Sequence, residues 1–511
     1  MKSIRNEAKF AGLLFFMLGF SACKKNEINP GEKAISPLTG TVAEMTLDSI
    51  YLYALQTYLW NDALPSYLDF NPRKYNSSGT DAGNFKQELF DISQLKKNPL
   101  TGAAYEEPLF AGVPKYSFIE EGNTYGSVKA AISLGTSGND LGLEVAAMGA
   151  GVYVSVVNPG SAADQAGLQR GFRLVEINGQ AANPALAENT LKQSQVMISY
   201  EKPDGSKVKV TLDRVAYKSH GVLKSLLLNL GGQKIGYLSL AKFDRLNEVK
   251  SELDQAFQKF SSEQPQELVI DLRYNGGGYV ETAEYLANLM VSSAMSGKVM
   301  YAKHFNTLLQ QGKGAILQKQ LYFDEEGKPV YLKGRRATMA DVDFTVEGNT
   351  ARFNKQGALE RVKNIYFIVS NRTASASEFL INSLRPYFNV KLAGSRTYGK
   401  PVGFFGINIH RYTVYLSNFL IKNSANEGEY YSGFLPDLVV ADDVGHDFGD
   451  PEEQCLKSLL SGISSSSKTG IQTGKLMGMA APANTITPEP IMDPGFRGMI
   501  TTHFKLKKME N

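Results

Sequence analysis

Apolar positions along this chain follow two different periods, and their alternation predicts an α/β architecture. Between residues 42 and 60 they recur every three or four residues, which is the period of an amphipathic helix. From about residue 234, short apolar runs typical of buried strands alternate with segments of helical period. The predicted strands are residues 234–240, 268–270, 365–369, 390–393 and 412–416, and the predicted helices are residues 246–260, 280–290 and 378–385. This alternation predicts a core built on a largely parallel sheet.

Breaks in the pattern predict several domains, as expected for a chain of 511 residues. Residues 41–125 mix short helical pieces with prolines, which predicts a small, mostly helical amino-terminal domain. Residues 298–363 are rich in Lys, Gly and Gln and interrupt the α/β pattern as an insertion, for which a hairpin or a lid over the cleft is considered. Residues 463–511 have little periodicity and are predicted to form a flexible tail, with folding against another surface as the alternative.

Residues 127–215 carry short β-like runs instead of the α/β alternation. They contain Leu141-Gly-Leu143, a short helical stretch from Ser161, and an Asn-Gly hairpin turn at residues 178–179. This segment resembles a PDZ domain, in which a peptide adds a strand to the sheet edge and its terminal carboxylate binds backbone N–H groups. The resemblance assigns peptide binding to Leu141, Gly142 and Leu143. A PDZ-shaped spacer that binds no peptide is the alternative.

The most informative chemistry lies in the turn Thr373-Ala-Ser-Ala-Ser-Glu378, between a predicted strand and a predicted helix. Such a turn exposes a side chain at the mouth of a sheet and directs N–H groups to the same place. A serine there needs a base, and a lysine serves as one only when burial favours its neutral form. Lys400 follows in an apolar, aromatic stretch with no acidic neighbour in sequence, although a charged surface lysine is the alternative.

Three motifs together resemble the carboxy-terminal-processing, or tail-specific, serine protease family. They are the turn at residues 373–378, the stretch Gly394-Ser-Arg-Thr-Tyr-Gly-Lys400, and Asp271-Leu-Arg-Tyr-Asn-Gly-Gly-Gly278. The resemblance covers about residues 125–460 and implies a ClpP/crotonase-like protease core over residues 220–462. It implies a serine endopeptidase that cleaves unstructured or carboxy-terminal polypeptide segments through an acyl-enzyme, with the PDZ-like domain binding substrate or gating the site. The implied roles are nucleophile for Ser375, general base for Lys400, and oxyanion donors for Gly277 and Ala376.

One departure from the family pattern keeps a second function open. Phe404 stands where the family usually has a Gln that orients the lysine, and Asn408 is a candidate to replace it. A protease-fold binding or scaffold protein with weak or no turnover is therefore the alternative, and hydrolysis of a non-peptide ester or amide is a third possibility. Ser377, the competing serine, is interpreted as a helix cap.

Composition and charge narrow the possible partners. The net charge of +3 indicates no nucleic-acid partner, and five dispersed histidines form no metal motif, so no cofactor is predicted. The glycines at residues 276–278 lack the Gly-Lys-Ser/Thr of a phosphate loop. Asp271 and Arg273 are interpreted as holding this turn. The acidic residues Asp442, Asp443, Asp447 and Asp450 are interpreted as a solvated turn.

The amino terminus predicts a lipoprotein. Basic residues precede an apolar run at residues 10–20 that is too short to span a bilayer and ends in Phe-Ser-Ala-Cys23, which resembles a bacterial lipobox. We expect a signal peptide over residues 1–22, a lipid on Cys23 and a tether over residues 23–40. The expected location is the Gram-negative cell envelope, periplasm-facing or surface-exposed, with a membrane contact through the lipid alone. A plain signal peptide is the alternative.

Overall fold

The computed structural model describes residues 36–77, 79–108, 110–122, 137–324, 327–469, 489–490, 498–500 and 504–507. The predicted signal peptide and Cys23 lie outside these ranges. None of the helices within them is long and apolar enough to span a bilayer.

The amino-terminal region is helical and shares one hydrophobic core with the α/β region. Its elements are α1 (Val42–Thr57), α2 (Tyr67–Phe70), α3 (Asp81–Ser93), β1 (Phe118–Glu121) and the 3₁₀ turns Asn61–Ala63 and Pro72–Tyr75. Thr41 and Glu44 form a capping box that starts α1. The buried Glu106 carboxylate accepts hydrogen bonds from Tyr58, Ser117 and Ser417. This buried group therefore joins the amino-terminal helices to a segment near Lys400.

The PDZ-like region has a separate core that includes Val152, Val154, Leu174 and Ile198. Its β3, β4, β5, β7 and β8 lie side by side in one sheet, β6 pairs with β5, and β2 pairs with β9. The strands are β2 (Ser137–Asp140), β3 (Leu143–Met148), β4 (Gly151–Val157), β5 (Arg173–Ile177), β6 (Gln180–Ala181), β7 (Gln195–Glu201), β8 (Lys207–Asp213) and β9 (Val215–Lys218), with helices α4 (Ala162–Gln165) and α5 (Pro184–Thr190).

The remaining chain up to residue 469 builds the α/β core. Its strands are β10 (Val222–Leu230), β11 (Gln233–Leu240), β12 (Glu267–Asp271), β13 (Gly277–Tyr279), β14 (Val299–Phe305), β15 (Tyr331–Leu332), β16 (Arg335–Arg336), β17 (Thr350–Arg352), β18 (Asn364–Val369), β19 (Asn389–Gly394), β20 (Val402–Gly403), β21 (Gly406–Ile409), β22 (Tyr412–Tyr415), β23 (Phe419–Asn423) and β24 (Leu438–Val439). Its helices are α6 (Leu246–Ser261), α7 (Val280–Met290), α8 (Thr307–Gln310), α9 (Ala376–Leu384) and α10 (Gln454–Thr469), with 3₁₀ turns at Ser293–Met295, Ala315–Lys319 and Met339–Asp341.

The central sheet has six strands in the order β10-β11-β12-β18-β19-β24. Only the β10–β11 pair is antiparallel, which confirms the predicted, largely parallel sheet. Ile235, Val269 and Ile368 pack on one face of the sheet, whereas Leu238 and Ile270 belong to the core on the other. Strands buried on both faces read as continuous apolar runs, which is the pattern that predicted them.

Residues 298–363 contribute strands to a sheet beside the site. A second sheet has the order β17-β14-β23-β20, so β14 and β17 pair into the part of the chain that follows Lys400. The hairpin that was considered for this segment is limited to β15 and β16.

Parts of the carboxy-terminal segment are paired with other strands. β25 (Glu489–Pro490) lies antiparallel to β3, and β26 (Gly498–Ile500) lies parallel to β13. Residues 504–507 run alongside residues 339–344, and Leu506 forms an antiparallel β-bridge with Val342. The prediction of a flexible tail is wrong for these pieces. Strands of two or three residues that pair with distant strands are too short to leave a periodic signal in sequence.

The PDZ-like region is joined to the core by buried ion pairs. Arg170 contacts Asp442 at 2.7 Å, and Asp442 also pairs with Arg273 at 2.6 Å. Burial alone would raise the pKa of Asp442, but Arg170 and Arg273 outweigh it and lower this pKa to about 2. The interpretation of Asp442 as part of a solvated turn is therefore wrong. Arg273 also binds Asp271, which agrees with a structural role for that pair.

Candidate active site

Ser375 lies on a strained turn between β18 and α9. Its backbone has φ 62° and ψ −111°, a conformation that side-chain-bearing residues rarely adopt. A similar arrangement of strand, sharp turn and helix presents the nucleophile in α/β-hydrolases. Ser375 is buried, and its Oγ has no hydrogen-bond partner within the part of the chain that the structure describes. A buried hydroxyl without a partner is costly, which is typical of a group kept for function.

Glu378 connects the serine turn to the lysine loop. One carboxylate oxygen, Oε2, accepts the backbone N–H groups of Ser375 at 3.0 Å and Lys400 at 2.8 Å. The other oxygen accepts the Thr397 hydroxyl at 2.5 Å and the Gly399 N–H at 2.7 Å. Burial raises the pKa of Glu378, although these four hydrogen bonds oppose that shift. The two predicted catalytic residues thus lie beside the same carboxylate oxygen.

Lys400 is enclosed by aromatic residues. It is 1% exposed, with its Nζ 4.2 Å from the centre of the Phe404 ring and 3.5 Å from the Tyr116 carbonyl oxygen. The Tyr116 hydroxyl donates to the Gly399 carbonyl at 2.5 Å. The alternative of a charged surface lysine is therefore wrong, because the amine is desolvated. The amino-terminal region supplies one wall of its pocket through Tyr116.

The glycine turn is attached directly to the serine turn. The Asn275 carbonyl accepts the Ala374 N–H at 3.2 Å and the Ser377 hydroxyl at 3.0 Å. The predicted cap role of Ser377 is wrong, because Ser375 is the residue before α9 and Ser377 lies inside the helix. A β-carbon on Gly278, which has φ 139°, would lie 2.1 Å from the Phe243 carbonyl oxygen. Close backbone packing therefore requires glycine at this position.

The two predicted oxyanion donors differ in their availability. Ala376 is the first residue of α9, so its N–H belongs to the helix end that lacks intrahelical acceptors. The Gly277 N–H instead donates to the Asn275 side chain at 2.9 Å. The geometry therefore disfavours Gly277 as the donor. Its neighbour Gly278 is the better candidate. The Gly277 carbonyl accepts the Phe243 N–H, and the Tyr279 N–H donates to the Phe243 carbonyl. Because N–H groups alternate in direction along a strand, the Gly278 N–H points away from Phe243.

In the PDZ-like region, the loop that was predicted to bind a peptide's terminal carboxylate already binds a carboxylate of the protein itself. Gly142 has φ 68°, and a β-carbon there would lie 2.0 Å from the β-carbon of Ser161, so the loop requires glycine. The Gly142 N–H, however, donates to the Asp140 carboxylate at 2.7 Å. Leu141 and Leu143 are buried in the core of this region. An acidic side chain at this loop opposes binding of a second carboxylate.

Two residues of the site received no role from the sequence. Glu378 ends the motif at residues 373–378 and was predicted only to begin a helix, and Tyr116 lies in a region without catalytic spacing. The residue that was considered as a replacement for the missing Gln, Asn408, bonds Thr413 at 3.1 Å and Gln320 at 3.0 Å. These contacts place it in the β21–β22 hairpin. Among the described residues, no group of three or more His, Cys, Asp or Glu side chains is arranged to hold a metal ion.

Comparison with known proteins identifies two domains. Residues 234–438 match the model of peptidase family S41, and residues 131–211 match the model of the PDZ domain. The chain is 25% identical over 293 residues to a chloroplastic C-terminal processing peptidase of Tetradesmus obliquus, covering 53% of each chain. It is 24% identical over 279 residues to a CtpA-like serine protease of Staphylococcus aureus, covering 52% of this chain and 46% of that one. The chain thus spans about half the length of the curated relatives it matches.

A solved structure supports the fold. An S41 protease from Bacteroides fragilis superimposes with a TM-score of 0.55 at 21% identity, covering 82% of this chain and 97% of that one. At this identity the likeness establishes a shared fold.

Proposed function

We propose that the chain is a serine endopeptidase of the S41 type that uses Ser375 and Lys400, because residues 234–438 match the model of peptidase family S41 and residues 131–211 match that of the PDZ domain. Its substrates are unstructured or carboxy-terminal polypeptide segments, which the PDZ-like region binds or uses to gate the site. The observation that supports this most directly is the shared Glu378 oxygen, which holds the backbones of both residues. Motifs that are 25 residues apart in sequence therefore meet at one buried carboxylate.

The chemistry follows from the pocket. Burial disfavours the ammonium form of an amine, so a neutral Lys400 takes the proton of the Ser375 hydroxyl as Oγ attacks the substrate carbonyl. The tetrahedral oxyanion receives the Ala376 N–H and a second N–H from the glycine turn, for which Gly278 is proposed. The protonated lysine then donates to the leaving amine, and water releases the acyl group from the serine in the second half of the reaction. Closure of the Ser375–Lys400 hydrogen bond accompanies substrate binding, as catalytic hydrogen bonds often tighten in the bound complex.

Two substitutions test the assignment. Ser375→Ala or Lys400→Ala should lower kcat for an unfolded protein substrate by about 10³-fold or more, because each removes the nucleophile or its base. Ser383→Ala is the matched control and should keep wild-type kcat, since it removes a buried hydroxyl on the same helix that has no hydrogen-bond partner among the described residues. Circular dichroism checks that all three variants fold. Wild-type activity in Ser375→Ala or Lys400→Ala would refute the dyad.

A second candidate, a binding or scaffold protein with weak or no turnover, is favoured by the Phe404 ring against the lysine amine. An aromatic ring stabilises a cation that lies over its face, so Phe404 opposes the neutral form of Lys400 that catalysis needs. Fluorophosphonate labelling of Ser375 distinguishes the two candidates: wild-type protein is labelled if it is an enzyme and unlabelled if it is a scaffold. Phe404→Gln, which restores the family's residue, should increase labelling in either case.

The cellular location is proposed from the amino terminus. Lipidation of Cys23 would anchor the protein to the cell envelope, where it faces the periplasm or the outer surface. Metabolic labelling with an alkyne fatty acid should mark the wild-type protein, and Cys23→Ser should abolish both the label and membrane fractionation. Labelled Cys23→Ser protein would rule out this anchor.

A further inference from the structure

The carboxy-terminal segment lies on the peptide-binding edge of the PDZ-like region. Glu489 pairs with Ala147 and Pro490 pairs with Ala146, in antiparallel orientation to β3. β3 directly follows the loop at Leu141–Leu143, and a PDZ ligand adds an antiparallel strand to the sheet edge. Residues 489–490 therefore take the place of a ligand strand.

The same segment then lies in the proposed catalytic cleft. Gly498, Met499 and Ile500 pair in parallel with Gly277, Gly278 and Tyr279, which form the glycine turn. β26 also contacts β20, which begins two residues after Lys400. The strand thus lies between the turn that would supply an oxyanion donor and the loop that carries the base. A substrate backbone attacked by Ser375 must lie in this cleft.

Residues 504–507 are anchored beyond the cleft. The ring of Phe504 is buried, 5.7 Å from that of Phe405 and 6.2 Å from that of Phe344. The Lys505 carbonyl accepts the Asp343 N–H at 2.8 Å, and the Lys507 N–H donates to the Asp341 carbonyl at 2.9 Å. An aromatic side chain in the core and two backbone hydrogen bonds give this contact a defined register.

We propose that three pieces of the carboxy-terminal segment, residues 489–490, 498–500 and 504–507, act as an intramolecular ligand of the chain's own polypeptide-binding surfaces and compete with substrate. The proposal rests on the proposed function. The PDZ edge fits such a ligand, because the Gly142 N–H is held by Asp140 and an internal segment brings no terminal carboxylate to this loop. An internal strand needs only the edge of β3, which is what residues 489–490 use.

A tethered ligand requires little intrinsic affinity to occupy its site. The effective concentration of a segment on a short connection is about 1 mM, so an intrinsic Kd of about 0.1 mM leaves roughly one molecule in ten open. Apparent substrate affinity therefore falls to about one tenth of its value in the open protein. Release of the segment should therefore strengthen substrate binding and raise kcat/KM about tenfold.

A disulfide between directly paired positions tests the placement. Ala147→Cys with Glu489→Cys joins two residues whose α-carbons, as an antiparallel pair, lie about 4.5–5.5 Å apart, within the range of a disulfide. Cys23→Ser is included, and the native Cys455 is buried. Mass spectrometry after mild oxidation should show the 147–489 cross-link in the monomer. Absence of this cross-link would overturn the placement of the segment.

The locked protein then tests competition, with its reduced form as the control. Oxidised protein should bind a fluorescent unfolded reporter, such as carboxymethylated lactalbumin, at least tenfold more weakly than the same protein after reduction. This binding is measured by anisotropy in the Ser375→Ala background, so the result does not depend on turnover. Equal binding by the two forms would overturn the proposal. A third outcome separates the two proposals. If the oxidised and reduced forms bind the reporter differently but the protein that keeps Ser375 does not hydrolyse it, the proposed function fails and the intramolecular ligand stands.

A matched pair in the full-length chain tests the anchor. Phe504→Ala removes the buried ring, whereas Lys505→Ala changes an exposed neighbour and keeps its backbone hydrogen bond. Phe504→Ala should strengthen reporter binding and raise kcat/KM about tenfold, and Lys505→Ala should leave both unchanged. Weaker binding by a folded Phe504→Ala protein would show that the segment assists substrate binding, and this would overturn competition.

Discussion

At the scale of single residues, the site depends on a serine in a conformation that its own side chain disfavours. The backbone angles of Ser375 are those that glycine adopts without cost, yet the role of nucleophile proposed for this position requires a hydroxyl. Its N–H donates to the Glu378 carboxylate, which helps to hold the turn in place. The surrounding structure thus supports a locally unfavourable conformation that places Oγ at the cleft.

Two substitutions of this serine separate strain from chemistry. Both Ser375→Ala and Ser375→Gly remove the hydroxyl, but only glycine relieves backbone strain of about 1–3 kcal/mol. Glycine also loses about 0.4–1 kcal/mol through the entropy of the unfolded chain. Ser375→Gly should therefore be more stable than Ser375→Ala by about 1 kcal/mol in urea denaturation. A less stable glycine variant would show that the turn is unstrained.

At the scale of elements, long buried strands and helices were predictable and short paired strands were not. The strands at residues 365–369 and 234–240 and the helix at residues 280–290 were confirmed, because burial on fixed faces imposes a period on the sequence. β25 and β26 are two and three residues long and depend on pairing with distant strands. No local pattern encodes such pairing.

The site was predictable only in part, for a related reason. Ser375 and Lys400 carry motif signals, whereas the role of Glu378 emerges only when the loop at residues 397–400 folds back over the start of α9. Tyr116 reaches Lys400 across 284 positions of sequence. The availability of the Gly277 N–H was decided by the conformation of the Asn275 side chain, which the sequence does not reveal.

The contact of α9 with the lysine loop makes a prediction for Glu378. Glu378→Gln replaces an acceptor oxygen by an amide NH₂ that faces buried N–H groups. The unsatisfied groups should lower the free energy of unfolding by about 1–3 kcal/mol. The expected loss in kcat/KM is about 10–100-fold. Glu263→Gln, at an exposed position, is the control and should be unchanged.

The pH profile gives a second readout of the same substitution. Because burial raises the pKa of Glu378, the carboxylate gains a proton at a higher pH than an exposed glutamate does, and activity should fall as pH decreases through that value. Glu378→Gln has no group to titrate there and should lack this acid limb. Identical profiles for wild type and Glu378→Gln would assign the limb to another group.

At the scale of the whole molecule, the PDZ-like region is coupled to the α/β core through buried charges. Arg170 bonds the hydroxyl of Tyr274 at 2.7 Å, and Tyr274 immediately precedes the Asn275 that holds the glycine turn. Arg372, three residues before Ser375, pairs with Glu144 on β3 at 2.8 Å. A ligand on the β3 edge therefore lies close to contacts that continue to both sides of the proposed catalytic cleft.

Removal of Arg170 should weaken this junction. Arg170→Ala leaves buried acceptors without their cation, and the loss of one partner of a buried ion pair costs about 3–5 kcal/mol. Differential scanning calorimetry should show a lower melting temperature and a separate transition for the PDZ-like region. Lys192→Ala, which breaks an ion pair whose side chains are 60% and 55% exposed, should change stability by about 0.5 kcal/mol or less. If both variants melt as the wild type does, the two regions are held together by apolar packing, and the charges contribute nothing to their coupling.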